Sequence, residues 1–70
     1  MDRETMLQRA EAYVASLRKT GQWRKSYWYT VVFEGGRITG HVPSPKQTWA
    51  HDAADKHGLD HCIILKGSMV

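Results

Sequence analysis

The feature that most constrains the fold is a run of aromatic and β-branched residues followed at once by two glycines. Residues 26–34 read SYWYTVVFE, a composition that is typical of a β-strand. Gly35 and Gly36 fit a two-residue turn that needs positive φ at both positions, and residues 37–42 then return as a second strand. The sequence therefore predicts a β-hairpin.

A two-residue turn also fixes the register of this hairpin, with Glu34 opposite Arg37. Three pairs are then expected to face the core: Phe33–Ile38, Val31–Gly40 and Tyr29–Val42. The alternate positions are expected on a solvent-exposed face, where they would form a partly apolar contact surface. These are Trp28, Thr30, Val32, Thr39 and His41.

Apolar residues at three-to-four spacing predict an amphipathic helix over residues 3–19, with Asp2 as its N-cap and Gly21 just beyond its end. Its apolar stripe contains Met6, Leu7, Ala10, Tyr13, Val14 and Leu17.

A second helix is predicted to follow the hairpin. Ser44 would cap it in a capping box with Gln47, and Gly58 would end it after His57. Its inner stripe is Trp49, Ala50, Ala53 and Ala54. Residues 61–66 form the predicted third strand, and residues 67–70 are expected to fray.

These elements follow one another in the order α-β-β-α-β, within a single domain that spans residues 1–70. The second strand of the pattern is joined to the third by a helical crossover, and the first strand is the most apolar. We therefore expect an α+β fold: a three-stranded antiparallel sheet of order 2-1-3, with two helices on one face. A monomer and a homodimer are both compatible with the sequence.

Positive charge is concentrated in one segment. The chain carries a formal charge of +3, yet residues 18–25 contain four cations and no acidic residue. Cations mixed with aromatic rings suit phosphate attraction with base stacking, and they equally suit a protein interface. The alternative is a solvated helix end with Trp23 folded into the core. The predicted partner-binding residues are Arg18, Lys19, Trp23, Arg24, Lys25 and Trp28.

Histidine, cysteine and acidic residues form no convincing catalytic or metal pattern. His57 and His61 are separated by the Gly58 turn, and Cys62 points to the opposite side of its strand from His61. His51 and Asp55 share a helix face, but no nucleophile accompanies them. We therefore expect no metal, no cofactor and no enzymatic activity.

Cellular location is predicted from two features. Cys62 is the only cysteine, so no intrachain disulfide can form. The longest mostly apolar run, residues 27–33, is too short to cross a bilayer, and no apolar segment follows Met1. The expected location is the cytoplasm, without contact to a membrane.

Residues 26–68 combine the hairpin with its glycine turn, a Ser-Pro opening, an alanine-bearing helix and a final Ile-Ile-Leu-Lys-Gly-Ser strand. This pattern resembles some small phage-encoded anti-CRISPR proteins. The resemblance implies a non-enzymatic inhibitor that binds a host Cascade-type surveillance complex and blocks DNA recognition. Many such inhibitors are acidic, whereas this chain is basic, so its target would be an acidic protein surface or the guide or target nucleic acid.

The leading functional hypothesis is thus a small interaction protein that occupies a surface of a larger host complex. Its cations would steer association, and its Trp residues would anchor it. The alternative is a nucleic-acid-binding module that uses the same basic aromatic loop, residues 18–25. The salt dependence of binding separates the two.

Overall fold

The computed structural model describes residues 1–70 and contains two helices packed on a three-stranded antiparallel sheet. The elements are α1 (Arg3–Leu17), β1 (Trp28–Glu34), β2 (Arg37–Ser44), α2 (Gln47–His57) and β3 (Cys62–Lys66). The strand order is β2-β1-β3, and short 3₁₀ turns cover Leu59–His61 and Gly67–Met69. The α+β class, the order of elements and the strand order are thereby confirmed. Neither helix has the combination of length and apolar character that crossing a membrane requires.

Helix α1 forms as its sequence predicts, although it ends at Leu17 rather than at residue 19. The Asp2 carboxylate accepts a hydrogen bond from the Thr5 N–H at 2.8 Å, so it caps the first turn. The buried stripe consists of Met6, Ala10, Val14 and Leu17.

The hairpin turn is correct, but the predicted register beyond it is wrong. Gly35 and Gly36 have φ of 58° and 78°, and Phe33 pairs with Ile38. A β-bulge then leaves Thr39 unpaired, with its hydroxyl 3.4 Å from the Val32 carbonyl oxygen that accepts its hydrogen bond. One extra residue on β2 changes every later pairing, which gives Val32–Gly40, Val31–His41 and Tyr29–Pro43.

The two helices lie on opposite faces of the sheet, so the predicted placement of both on one face is wrong. The Thr30 hydroxyl donates a 2.9 Å hydrogen bond to the Ala50 carbonyl of α2, whereas its neighbour Val31 packs in the cluster formed with α1. Successive strand residues point to opposite faces. Three strands about 4.8 Å apart make a sheet roughly 10–14 Å wide, which is about the diameter of one helix, so each face accepts one helix.

The face that was expected to be exposed is therefore covered by α2. Thr30 is fully buried, while Trp28 and Val32 are half-buried. Ala50 and Ala54 are buried, and their small side chains allow α2 to lie close to the sheet. The larger core lies on the α1 face, and the bulge turns His41 toward that side. The predicted contact surface on this sheet face is consequently incorrect.

Helix α2 begins later than predicted, and Ser44 does not cap it. Ser44 remains in β2 opposite Trp28 and is buried, so α2 starts at Gln47 after Lys46, which provides no side-chain cap. The predicted end is correct, because Gly58 follows His57 with φ of 95°.

The C-terminal residues are packed rather than frayed. The Gly67 N–H donates to the Tyr27 carbonyl at 2.8 Å, and the Trp23 indole N–H donates to the Gly67 carbonyl at 3.1 Å. Val70 packs against the main core cluster. These contacts tie the end of β3 to the loop between α1 and β1.

His41 makes stability dependent on pH. It lies between two tyrosine rings, with Nδ1 2.8 Å from the Tyr13 hydroxyl oxygen, and burial lowers its pKa below the usual 6.5. Because the unfolded chain binds this proton more readily, stability is complete above about pH 6.5 and falls as the pH drops toward the folded-state pKa. Urea denaturation at about pH 7.5 and pH 5 should show this loss in the native chain, and a smaller loss in His41→Gln.

The lowered pKa of Asp2 does not interfere with this measurement, because that carboxyl titrates below its ordinary value of 3.8. The same pH dependence in native and His41→Gln proteins would assign the acid sensitivity to another group.

Candidate functional site

The predicted basic loop lies between α1 and β1, where Trp23 serves the fold rather than an exposed surface. Trp23 is half-buried against the core, and its indole N–H is bonded to Gly67. The Arg18 guanidinium covers its ring, 4.2 Å from the ring centre, and also donates to the Val70 carbonyl. Trp23 therefore fits the alternative in which it folds into the core. The ring face beneath the Arg18 guanidinium is covered and cannot contact a partner.

The rest of the loop is held by one buried side chain. The hydroxyl of Tyr29 accepts a 2.6 Å hydrogen bond from the Arg24 backbone N–H and donates to the Gln22 carbonyl at 3.3 Å. The loop thus has a defined path, and the cations on it have defined positions relative to the sheet.

The other predicted residues lie around the start of β1. Lys19, Arg24 and Lys25 are exposed, and the Arg24 guanidinium is 5.5 Å from the Tyr27 ring centre. Trp28 is half-buried, with the Lys66 ammonium 5.5 Å from its ring centre. Trp28 is therefore only partly available as an anchor.

Antiparallel pairing adds two cations that the loop does not contain. Trp28 lies opposite both Ser44 and Lys66, so the start of β1 and the ends of β2 and β3 share one end of the sheet. Lys46 follows β2 at this end, 6.0 Å from the ring centre of Trp49, which is 54% exposed. We call this region the basic end, and its cations are Arg18, Lys19, Arg24, Lys25, Lys46 and Lys66.

The basic end holds six of the ten cations of the chain. The seven acidic side chains lie elsewhere, at the start or middle of α1, at the hairpin turn, in the body of α2 and in the 3₁₀ turn before β3. The remaining cations and these carboxylates sum to −3. Charge is therefore separated along the molecule, which is an arrangement that orients an approaching polyanion.

Two surface depressions adjoin this charge. An open depression of about 340 Å³ at the basic end is lined only by Lys25, Ser26, Lys66 and Ser68. A second one, of about 380 Å³, lies between α2 and β2. Three apolar residues, Val42, Trp49 and Ala53, line it together with Asp52, Lys56 and His57. The first offers ammonium and hydroxyl donors, and the second offers an exposed ring.

The weaker sequence candidates for chemistry do not converge. Cys62 is buried beneath α2, and burial raises the pKa of its thiol, which disfavours a reactive thiolate. His57 and His61 are exposed, as are His51 and Asp55 on α2. No three histidine, cysteine or acidic side chains are grouped closely enough to hold a metal ion.

Comparison with family models, curated proteins and solved structures finds no match to this chain. The resemblance to anti-CRISPR proteins therefore stays a prediction, and the functional proposal depends on the site itself.

The loop sequence did not reveal Lys46 and Lys66. The signal for them was present in the predicted topology, because strand order 2-1-3 brings residues 44 and 66 to the start of β1. Charge counted along the chain misses cations that the sheet brings together from segments some 20 and 40 residues away.

Proposed function

We propose that the chain is a small, non-enzymatic binding module that holds the phosphate backbone of a nucleic acid at its basic end. The observation that carries this proposal is the convergence of six cations from separate segments on one end, with every acidic side chain elsewhere. Lysine and arginine contacts to phosphates dominate nucleic-acid affinity, because each one releases condensed counterions.

Backbone binding suits this site better than a Trp-anchored protein interface. Protein hot spots are buried aromatic anchors that enter a partner's pocket. The Trp23 indole is hydrogen-bonded to Gly67 and covered by the Arg18 guanidinium, and Trp28 is half-buried. The exposed side chains here are mainly those of lysine and arginine, which suit phosphates. Trp49, beside Lys46, offers a ring on which an unpaired base can stack.

Fluorescence anisotropy with labelled single-stranded DNA, single-stranded RNA and duplex DNA tests the proposal. If all six cations contact phosphates of a single strand, the slope of log affinity against log salt is expected to be about −4. Absence of binding to all three probes at about 50 mM salt contradicts the proposal, because electrostatic attraction is strongest there.

Inhibition of a host CRISPR surveillance complex is the second proposal. It is supported by the pattern of residues 26–68 and by the half-apolar depression around Trp49, which offers a protein contact beside the basic end. In such a complex the basic end would meet guide or target nucleic acid, and the chain would act in the cytoplasm.

Target-DNA binding by a purified Cascade-type complex, measured by gel shift with and without this chain, tests the second proposal. Loss of target binding is expected with the native chain and a weaker loss with Trp49→Ala. If target binding is unchanged at a saturating concentration of this protein, inhibition of the complex used is excluded. The first proposal is unaffected by that result.

A further inference from the structure

The depression at the basic end is lined only by the side chains of two lysines and two serines, Lys25, Ser26, Lys66 and Ser68. It combines two ammonium groups with two hydroxyls, and no apolar side chain lines its volume of about 340 Å³. Every side chain in it can donate a hydrogen bond, and none of them is acidic. Such a donor set matches an oxyanion.

The backbone around this depression is fixed by contacts from both sides. Residues 25–26 and residues 66–68 are distant in sequence, but the Gly67 N–H donates to the Tyr27 carbonyl at 2.8 Å and joins the two segments. Gly67 itself is buried against the Arg24 carbonyl, and its own carbonyl accepts from the Trp23 indole. The four side chains are therefore attached to a fixed backbone, so ligand binding need not order the main chain.

We propose that Lys25, Ser26, Lys66 and Ser68 form a subsite for one phosphate group, and this rests on the proposed function because the group belongs to a bound nucleic acid. The ammonium groups balance the phosphate charge, and the hydroxyls donate to its free oxygens. Both a backbone phosphodiester and a terminal phosphomonoester present these oxygens, so their shared chemistry defines the ligand. The other cations of the basic end attract the remaining strand without such close coordination.

A charge-preserving pair of substitutions separates coordination from general attraction. In Ser26→Ala/Ser68→Ala, the net charge is unchanged, and both serines are exposed, so the fold should persist. We expect this pair to weaken binding of a labelled single-stranded oligonucleotide about tenfold with an unchanged salt slope, because only two hydrogen bonds are lost.

Two further variants identify the lysines of the subsite. Lys25→Gln/Lys66→Gln should reduce the salt slope by about 1.4, since two phosphate contacts are lost. Lys19→Gln/Lys46→Gln removes the same charge from the same end outside the depression and should reduce the salt slope equally, so it is the matched control, and phosphate titration distinguishes the two variants. NMR amide shifts during titration with inorganic phosphate should map to residues 25–26 and 66–68 in the native chain and in this control. They should need about tenfold more phosphate in the serine pair and disappear in Lys25→Gln/Lys66→Gln.

The outcomes separate the subsite from the proposed function. Native oligonucleotide affinity in the serine pair, together with no phosphate-induced shifts at these residues, would overturn the subsite while nucleic-acid binding stands. Phosphate-induced shifts without any oligonucleotide binding would overturn both, because the subsite is assigned to a bound strand. Tighter binding of a 5′-phosphorylated than a 5′-hydroxyl oligonucleotide supports a terminal phosphate as the ligand, and equal binding supports a backbone phosphate.

Discussion

Gly67→Ala is expected to destabilise the protein by about 3 kcal/mol, a much larger effect than the same change at Gly40, the other glycine without a positive φ. A Cβ at this position would overlap the Arg24 carbonyl oxygen and would lie 3.2 Å from the Trp23 indole nitrogen. The first obstacle is backbone held by the Tyr29 hydroxyl, so it cannot move aside as the tip of a flexible side chain would. Thermal denaturation should show a midpoint about 15 °C lower.

Gly40→Ala is the matched control, because Gly40 and Gly67 are the two glycines without a positive φ, and an added Cβ at Gly40 meets nothing within 4 Å. Alanine restricts the unfolded chain more than glycine does, so this variant should be neutral or slightly stabilised. Equal melting temperatures for the two variants would show that the close approach at Gly67 does not affect the free energy of unfolding.

The same close approach links stability to the candidate site. Gly67 joins β3 to the loop that carries Arg24 and Lys25, and through Trp23 it also positions the Arg18 guanidinium. Moving the Arg24 carbonyl would therefore displace the cations of the basic end as well as reduce stability. A protein of 70 residues has only about 4–10 kcal/mol of folding free energy, so this one contact is a substantial part of it.

Local signals in the sequence identify most of the secondary structure. The Asp2 cap, the Gly35–Gly36 turn and the stop at Gly58 all act within a few residues, and all three are confirmed. The central position of β1 also follows from sequence, since an unbroken apolar run suits a strand between two others.

Longer-range features were not accessible in the same way. The bulge at Thr39 depends on how β1 and β2 coil around each other, and no turn residue in the sequence predicts it. The predicted placement of α2 is wrong because it assumes that helices cover only one face of the sheet. Strand β1 carries apolar side chains on both faces. A sheet that is only one helix wide can pack one helix on each face, so the second helix must lie on the other face. This follows from the number of strands and not from a sequence motif.

The candidate site shows the same division. Four of its cations adjoin one another in residues 18–25, and that segment was identified directly. Lys46 and Lys66 join them only through strand pairing, and the depression containing Ser26 and Ser68 arises only when residue 67 packs on the loop. Trp23 packs against the core, because a small domain has few large side chains to bury, and the partner-binding role of Trp28 stays a prediction.

Removing three cations from the basic end is expected to weaken nucleic-acid binding about 100-fold at about 0.1 M salt, the largest functional effect that we predict. The triple variant Lys19→Gln/Arg24→Gln/Lys46→Gln takes two charges from residues 18–25 and one from the residue before α2. All three side chains are exposed, so the fold should be retained. The salt slope for a single strand should fall by about 2, because each phosphate contact contributes about 0.7.

The matched control is Arg3→Gln/Arg9→Gln/Arg37→Gln, which removes the same charge from exposed positions near the opposite end of the sheet. If the position of the cations governs binding, this control should lose less than about tenfold in affinity, because charges beyond a Debye length are screened.

Equal losses of affinity in the two triple variants would mean that net charge alone attracts the strand, and the basic end would then not be a site. Unchanged affinity in the basic-end triple would remove phosphate binding from these residues altogether. Target-DNA gel shifts with the Cascade-type complex would then test the second proposal on its own.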